Sequence, residues 1–325
     1  MDSLLFAVNA LAPLLFVALI GYVLSVRGFF SKTFIEHLNR YIFYVALPVL
    51  IFVTIIDIDD VRDIEWRMIG FAVAMLLVIT LLGLLFVAQK VMRKPYKPVV
   101  MQAFYRGNFM LIGIPLASRL GGVEALAILA ILNAFMVPIA NFLSIVTFKV
   151  FQKESDVRPF MLTDLMKTTM KNPLMLAIIA GLIVLVFNAT TSDVIGGIPV
   201  IADTLDMIAV TATPMALIAV GGQFRLKRVK VLREPLIYGV VARMVFVPTI
   251  VLGSAYLLRN TIDFTNAWAA LIAVFASPIA VSSVAVTKEL GGDDELASQL
   301  VIWTTGLAVI SLFIIVVLFR GANLL

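Results

Sequence analysis

Two stretches of this chain decide its fold: RGNFMLIGIPL at residues 106–116 and FASPIAVSS at residues 275–283. Each lies within a long apolar run and contains a proline next to glycine or serine. A proline inside a helix removes one backbone hydrogen bond and clashes with the preceding turn. In a bilayer the freed carbonyls need other partners, so such breaks occur only against protein or a wet cavity. The two stretches therefore predict interrupted helices that face a cavity inside a membrane protein.

The composition agrees with a membrane location. The 325 residues are 62% hydrophobic and 14% charged, whereas soluble domains are about half apolar and about a quarter charged. We predict ten membrane-spanning segments and no extramembrane domain. The first segment is expected to be retained and not cleaved as a signal peptide, because Asp2 stands where a signal peptide has basic residues. The ten segments lie near residues 4–26, 33–56, 67–89, 98–119, 123–150, 172–189, 199–222, 235–258, 265–288 and 295–320.

The basic residues predict the orientation. Seventeen of the 25 Lys and Arg residues fall in the odd-numbered gaps between segments, and five fall in the even-numbered gaps and the C-terminus. Cytoplasmic loops carry the excess of Lys and Arg. The positive-inside rule therefore predicts that both termini face outside a cytoplasmic membrane and that the central loop at 151–171 is cytoplasmic.

Five segments before the central loop and five after it give the two halves opposite orientations. This is the arrangement of an inverted repeat, and four pairs of features occur in matching order in the two halves. We therefore divide the chain into a first repeat at 1–150, a cytoplasmic connecting loop at 151–171 and a second repeat at 172–325. The pairs are Pro13–Gly21 with Pro173–Gly181, Pro48 with Pro214, Pro115 with Pro278, and GGVEALA at 121–127 with GGDDELA at 291–297.

Ionisable residues within the predicted segments indicate the charge of the ligand. No Asp or Glu lies deep inside a segment, whereas Arg106 and Arg243 each lie about ten residues from a cytoplasmic end. The interior is thus net positive, which favours an anionic substrate over a cation. For both arginines the sequence leaves a second interpretation open, in which the side chain reaches the headgroups or bridges helices.

The candidate substrate site is built around the two predicted breaks. Each second half-helix would direct its amide groups and positive dipole end at an anion. Asn108 precedes the first break, Asn133 and Asn141 share a face of the fifth segment, and Tyr44 lies one turn before Pro48. The substrate-binding candidates are Asn108, Gly113, Ile114, Pro115, Ser277, Pro278, Ile279, Asn133, Asn141, Tyr44 and Thr304.

The chain has no Cys and one His. Thiol catalysis and Cys-ligated metal sites are therefore excluded, and a His-based catalytic or metal site is not expected. We expect no cofactor, no metal and no enzymatic activity, and we expect no nucleic-acid partner because the basic residues follow membrane topology.

The motifs resemble those of the auxin efflux carrier family, which includes the plant PIN carriers and bacterial malate or malonate permease-like members. The resemblance covers essentially the whole chain, and the short central loop is similar to that of the bacterial type. It rests on Asn108-x4-Gly113-Ile114-Pro115-Leu116 with Gly121, Ala46-Leu47-Pro48 to Phe52, Asn172-Pro173-Leu174, Arg243, Pro278, Lys288-Glu289-Leu290 and Glu295-Leu296-Ala297-Ser298.

The resemblance implies a fold and a mechanism. It implies an all-α protein of ten transmembrane helices in two inverted five-helix repeats, with broken helices 4 and 9 crossing, as in bile-acid symporters and sodium/proton antiporters. Segments 1, 2, 6 and 7 would form a scaffold that dimerises, and the other six a mobile transport domain. Asn108 matches the asparagine that contacts the substrate carboxylate in PIN carriers, and Pro115 and Pro278 match the crossover prolines.

The sequence therefore predicts a secondary transporter of a small organic anion, such as malate, malonate or an auxin-like acid, that works by elevator-type alternating access in a bacterial inner membrane. Membrane potential or sodium could drive it. The alternatives are a sodium-coupled symporter of the bile-acid type, an anion channel, a sensor and a membrane-embedded enzyme.

Overall fold

A computed structural model describes residues 2–57, 66–90, 92–151, 172–188, 198–223 and 233–325. Within these ranges the chain is helical, and the only β pairing is one isolated bridge. The predicted loop at 151–171 lies outside the described residues, apart from its first residue. We number the helices in chain order. Helices α1 to α13 span Asp2–Val26, Lys32–Tyr41, Leu47–Ile56, Trp66–Gln89, Tyr96–Tyr105, Gly113–Phe151, Pro173–Asn188, Pro199–Gln223, Arg233–Val241, Val247–Leu258, Trp268–Phe275, Ser282–Glu289 and Asp294–Gly321.

Seven helical stretches in the described ranges are long and apolar enough to cross a membrane. Two of them join a pair of helices through a π-helical turn, α2 with α3 and α9 with α10. The protein is therefore a multi-pass α-helical membrane protein, as the composition predicts. The seven stretches are Asp2–Val26, Lys32–Ile56, Trp66–Gln89, Gly113–Phe151, Pro199–Gln223, Arg233–Leu258 and Asp294–Gly321.

The longest helix, α6, consists of two parts that meet at Gly122. This residue has φ 66° and ψ −151°, a conformation that residues with a Cβ atom rarely adopt. The chain therefore turns between residues 113–121 and 123–151, close to the predicted boundary between the fourth and fifth segments.

Two glycines hold the helices of the predicted scaffold close together. In α1, a Cβ atom on Gly21 would overlap the backbone carbonyl of Ile218 in α8. In α7, a Cβ atom on Gly181 would lie 3.0 Å from the Cβ of Ile55 in α3. These two glycines form one of the predicted repeat-related pairs. Each glycine lets its helix pack closely against a helix of the other predicted repeat, because small residues let apolar helices approach closely in a bilayer.

The second predicted proline pair has unequal surroundings in the two halves. Pro48 follows the π-helical turn Ile42–Ala46 and lies in the first turn of α3, whereas Pro214 lies inside the continuous helix α8. The other π-helical turn, Ala242–Phe246, precedes Pro248. The prediction that Pro48 and Pro214 form equivalent kinks is therefore not matched by the local geometry of these helices.

Candidate functional site

The two interrupted segments pair through their backbones. The first is open between Tyr105, where α5 ends, and Gly113, where α6 begins; the second is open between α11 and α12. Gly107 and Ile279 form an antiparallel bridge between them. The amide of Asn108 donates to the carbonyl of Pro278 at 2.7 Å, and the amide of Ala280 donates to the carbonyl of Arg106 at 3.1 Å. Each unwound segment therefore supplies the hydrogen bonds that the other loses outside its helix.

The first break lies earlier in the chain than the sequence places it. The sequence attributes the first break to Pro115, the proline of this stretch, and places Asn108 before it. Pro115 and Gly113 both belong to the start of α6, however, and the unwound stretch is 106–112. A proline in the first turn of a helix removes no intrahelical bond, because the amides there have no helical acceptor. Pro115 therefore begins a helix and does not interrupt one.

Thr304 and Arg243 form hydrogen bonds with the second interrupted segment next to the bridge. The Thr304 hydroxyl accepts from the amide of Ile279 at 3.1 Å and lies within 2.7 Å of the carbonyl of Leu300, to which it donates. Arg243, which is 1% exposed, donates to the carbonyls of Ser277 at 2.6 Å and Val274 at 2.8 Å. These carbonyls end α11, where the helix dipole favours a cation. Arg243 is thus a helix cap, in agreement with the bridging alternative.

Arg106 has a different environment. Its side chain is 7% exposed, and its guanidinium donates to Asn141 Oδ1 at 2.9 Å, Ser144 Oγ at 3.2 Å and Ser282 Oγ at 3.3 Å. All three acceptors are neutral, and within the described ranges no carboxylate lies against this cation. The Nε–H group has no hydrogen-bond partner. A buried cation without a counter-ion is costly unless a ligand supplies the negative charge.

Asn108 lies in the unwound stretch of the first interrupted segment, before α6. Its carbonyl accepts from the amide of Gly113 at 3.0 Å, and its side-chain Oδ1 accepts from the amide of Leu111 at 3.2 Å. The side-chain Nδ2 group has no partner, although the residue is 4% exposed. Asn108 therefore orders the chain just before α6 through its oxygen and keeps two N–H donors for another acceptor.

A cavity of about 470 Å³ lies beside the bridge and contains both Arg106 and Asn108 in its wall. One wall comes from the interrupted segments and α6, and the opposite wall from α2, α3, α8 and the residue before α7. Each of these two wall residues keeps one unpaired donor, Arg106 Nε and Asn108 Nδ2, and both nitrogen atoms are themselves buried. A ligand that reached them would have to supply acceptors. The lining includes Asn39, Phe43, Leu47, Arg106, Asn108, Met110, Leu111, Val137, Asn141, Asn172, Gln223, Val281 and Ser282.

The other candidates occupy several environments. Asn141 lines the cavity with Asn108, whereas Tyr44 is 61% exposed on the outer surface and does not line it. Asn133 is 3% exposed with both amide atoms unpartnered, but it is not in the cavity wall. The remaining candidates are buried behind or beside the bridge and do not line the cavity; they are Gly113, Ile114, Pro115, Ser277, Pro278, Ile279 and Thr304.

Sequence reasoning missed most of the wall opposite the bridge. It did not select Asn39, Asn172 or Gln223, which lie near helix ends, where polar side chains are common and carry no distinctive signal. Phe43 and Leu47 are apolar residues in an apolar segment. It weighed Arg106 as a substrate contact but did not select it, because the alternative of reaching the headgroups was open.

Comparison with known proteins identifies the family to which the chain belongs. No curated protein matches the chain. A family model described as "Membrane transport protein" matches residues 6–316, which includes both interrupted segments and the whole cavity wall. The chain therefore belongs to this membrane transport protein family, the auxin efflux carrier family that its motifs resemble, and it is a multi-pass membrane transporter.

Proposed function

We propose that the protein carries a small organic anion across a bacterial inner membrane and binds it in the cavity beside the Gly107–Ile279 bridge. One observation carries the proposal: a buried guanidinium and a buried amide, Arg106 and Asn108, each keep an unpaired donor at the same cavity. A carboxylate would accept from both and neutralise the cation. The first amides of α12, which begins at Ser282, add their positive dipole end to the same wall.

We assign the chain to ten transmembrane segments in two inverted repeats. The support is that repeat-related glycines make repeat-related contacts. Gly21 of segment 1 meets segment 7, and Gly181 of segment 6 meets segment 2, which is what an in-plane pseudo-two-fold axis requires. The pairing of segments 4 and 9 at Gly107 and Ile279 also supports it, because such an axis would relate these two interrupted segments.

The two walls of the cavity support an elevator movement. The proposed scaffold comprises α1, α2–α3, α7 and α8, which pack on one another, and the proposed transport domain comprises α4–α6 and α9–α13. Arg106 and Asn108 belong to the transport domain, whereas Asn39 and Gln223 belong to the scaffold. Sliding one group past the other would carry the anion with Arg106. We further propose that both termini face outside and that the scaffold forms a homodimer.

Flux measured in proteoliposomes tests this proposal. Vesicles preloaded with unlabelled acid receive the labelled form of malate, malonate, malonamate or indole-3-acetate, with and without a sodium gradient. We expect saturable counterflow of at least one acid, which a channel does not give. We expect Arg106→Met to reduce it strongly, and Arg259→Met, which removes an exposed arginine away from the cavity, to retain it.

Binding without flux in sealed vesicles would support a sensor, and non-saturable flux would support a channel; either result would overturn the proposal. Counterflow only in the presence of sodium would identify a sodium-coupled symporter and retain the assignment of the anion site.

A further inference from the structure

Among the described residues, the side of the cavity formed by the proposed scaffold carries three amide side chains and no charged side chain. Gln223 Nε2 donates to Asn39 Oδ1 at 3.3 Å and to the carbonyl of Ala219 at 2.9 Å, and Asn39 Nδ2 donates to the carbonyl of Ile35 at 2.9 Å. Asn172 Oδ1 accepts from the amide of Leu174 at 2.9 Å. The bonds fix the orientation of these amides. They leave Gln223 Oε1 as an acceptor and Asn172 Nδ2 as a donor for a ligand.

The charges of the two walls differ by one unit. Among the cavity-lining residues that the structure describes, Arg106 is the only ionised side chain, and it lies in the wall formed by the transport domain. The remaining lining is apolar, as at Phe43, Leu47 and Val137, or neutral and polar. One carboxylate is neutralised by this arrangement. A second carboxylate would find no second cation among the described lining residues, whereas an uncharged polar group loses less free energy on leaving water than a carboxylate does.

We infer that the substrate is a monocarboxylate that carries an uncharged hydrogen-bonding group at its other end. The carboxylate binds Arg106 and Asn108, and the neutral group binds the amides of Gln223 and Asn172. This inference rests on the proposed anion site and adds the class of its ligand. The carboxylate thus binds the transport domain and the uncharged group binds the scaffold. When the transport domain moves away from the scaffold, the uncharged group therefore loses its contacts with Gln223 and Asn172.

Isosteric pairs of acids test the inference. Malonate and malonamate have nearly the same shape, as do succinate and succinamate, but in each pair one carboxylate is replaced by an amide. Binding to the purified full-length protein is measured at neutral pH by calorimetry. We expect each amide acid to bind at least about tenfold more tightly than its dicarboxylate, or about 1.4 kcal/mol. Equal or tighter binding of the dicarboxylates would overturn the inference.

Two substitutions at Gln223 isolate the scaffold wall. Gln223→Lys adds a cation there and should reverse the preference, so that malonate binds more tightly than malonamate. Gln223→Leu removes the amide and should reduce the advantage of succinamate over butyrate, which has a methyl group in place of the amide, while butyrate binding itself changes little. An unchanged preference in Gln223→Lys, with thermal unfolding like that of the parent protein, would contradict the assignment of this wall.

The experiment separates this inference from the proposed function. Arg106→Met removes the anion-binding cation and should weaken the binding of every acid in the panel by about tenfold or more. If no acid binds even to the parent protein, the anion site itself is wrong. If acids bind through Arg106 but dicarboxylates are preferred, the anion site stands and the assignment of the scaffold wall is wrong.

Discussion

At the scale of single residues, the two buried arginines Arg106 and Arg243 have different hydrogen-bond partners. Arg243 donates to the carbonyls that end α11 and has carbonyl and hydroxyl acceptors in Val274 and Ser277. Arg106 has only neutral side-chain acceptors, and one of its donors is unpaired at the cavity. The first cation stabilises the end of α11, and we propose that the second binds the substrate. Equivalent substitutions should therefore have different effects.

Arg106→Met should leave the fold intact and weaken anion binding. A hydrogen bond to a charged group contributes about 1.5–3 kcal/mol, so the affinity for a bound acid should fall by roughly ten- to a hundredfold or more. Calorimetry with malonamate measures the change, and circular dichroism checks that the helices remain. Arg106 would be excluded from the site if the variant bound with the affinity of the parent protein.

Arg243→Met should destabilise the protein. The substitution removes the Arg243 donor from the buried carbonyl of Ser277 and leaves that of Val274 with only the longer bond from the Ser277 hydroxyl, at 3.3 Å. An unsatisfied buried carbonyl costs about 1–3 kcal/mol. We expect a clear fall in the thermal unfolding temperature in detergent. A stable variant with selectively lost anion binding would instead place Arg243 in the substrate site.

At the scale of helices and their breaks, the bridge depends on a close approach at Gly107. A Cβ atom there would overlap the Arg243 guanidinium. Gly107→Ala should therefore displace Arg243, weaken the pairing of the two unwound segments and lower the unfolding temperature. Gly253→Ala in α10 is the matched control, because a Cβ atom on Gly253 would have no neighbour within 4 Å. Equal stability of the two variants would show that the bridge tolerates the displacement.

The two crossover prolines are expected to differ as well. Pro278 lies in the unwound segment and keeps Ser277 out of the helical region, whereas Pro115 lies in the first turn of α6. Pro278→Ala should allow α11 to extend toward α12 and should reduce counterflow strongly. Pro115→Ala should reduce counterflow little. The reverse order would show that the break is set by the first proline and not by the bridge.

At the scale of the whole molecule, the proposed scaffold and the proposed transport domain meet at few side-chain hydrogen bonds among the described residues. One is from Arg119 in α6 to the carbonyl of Asn9 in α1, at 3.1 Å. A bond within the scaffold joins the Tyr41 hydroxyl and the Thr211 hydroxyl, 3.0 Å apart. The chain has no Cys, so introduced thiols can be cross-linked selectively.

Cross-linking tests the elevator movement directly. A bis-maleimide that spans the length of an arginine side chain should stop counterflow in a variant with Asn9→Cys and Arg119→Cys, because it joins the two domains. The same reagent should leave counterflow unchanged in a variant with Tyr41→Cys and Thr211→Cys, because both residues lie in the scaffold. Full counterflow in the first variant, with cross-linking confirmed, would exclude relative sliding of these domains.

The sequence by itself determined that the protein is a multi-pass helical membrane protein with two interrupted segments near 106–116 and 275–283. These properties depend on apolar length, proline and glycine, which act within one segment. It also selected Asn108 and Asn141, since amides in apolar helices are conspicuous, and the structure places both in the cavity wall. It misplaced the first break, because a proline in an apolar run looks the same whether it begins a helix or interrupts one.

Only the tertiary structure decided which polar groups remain unpaired. Arg106 and Arg243 have similar settings in the sequence, yet one faces neutral hydroxyls and amides at a cavity and the other caps α11. Asn39, Asn172 and Gln223 are ordinary residues near helix ends until the fold brings them to the wall opposite Arg106. Hydrogen-bond satisfaction and charge balance depend on contacts between residues distant in the chain, so no local pattern encodes them.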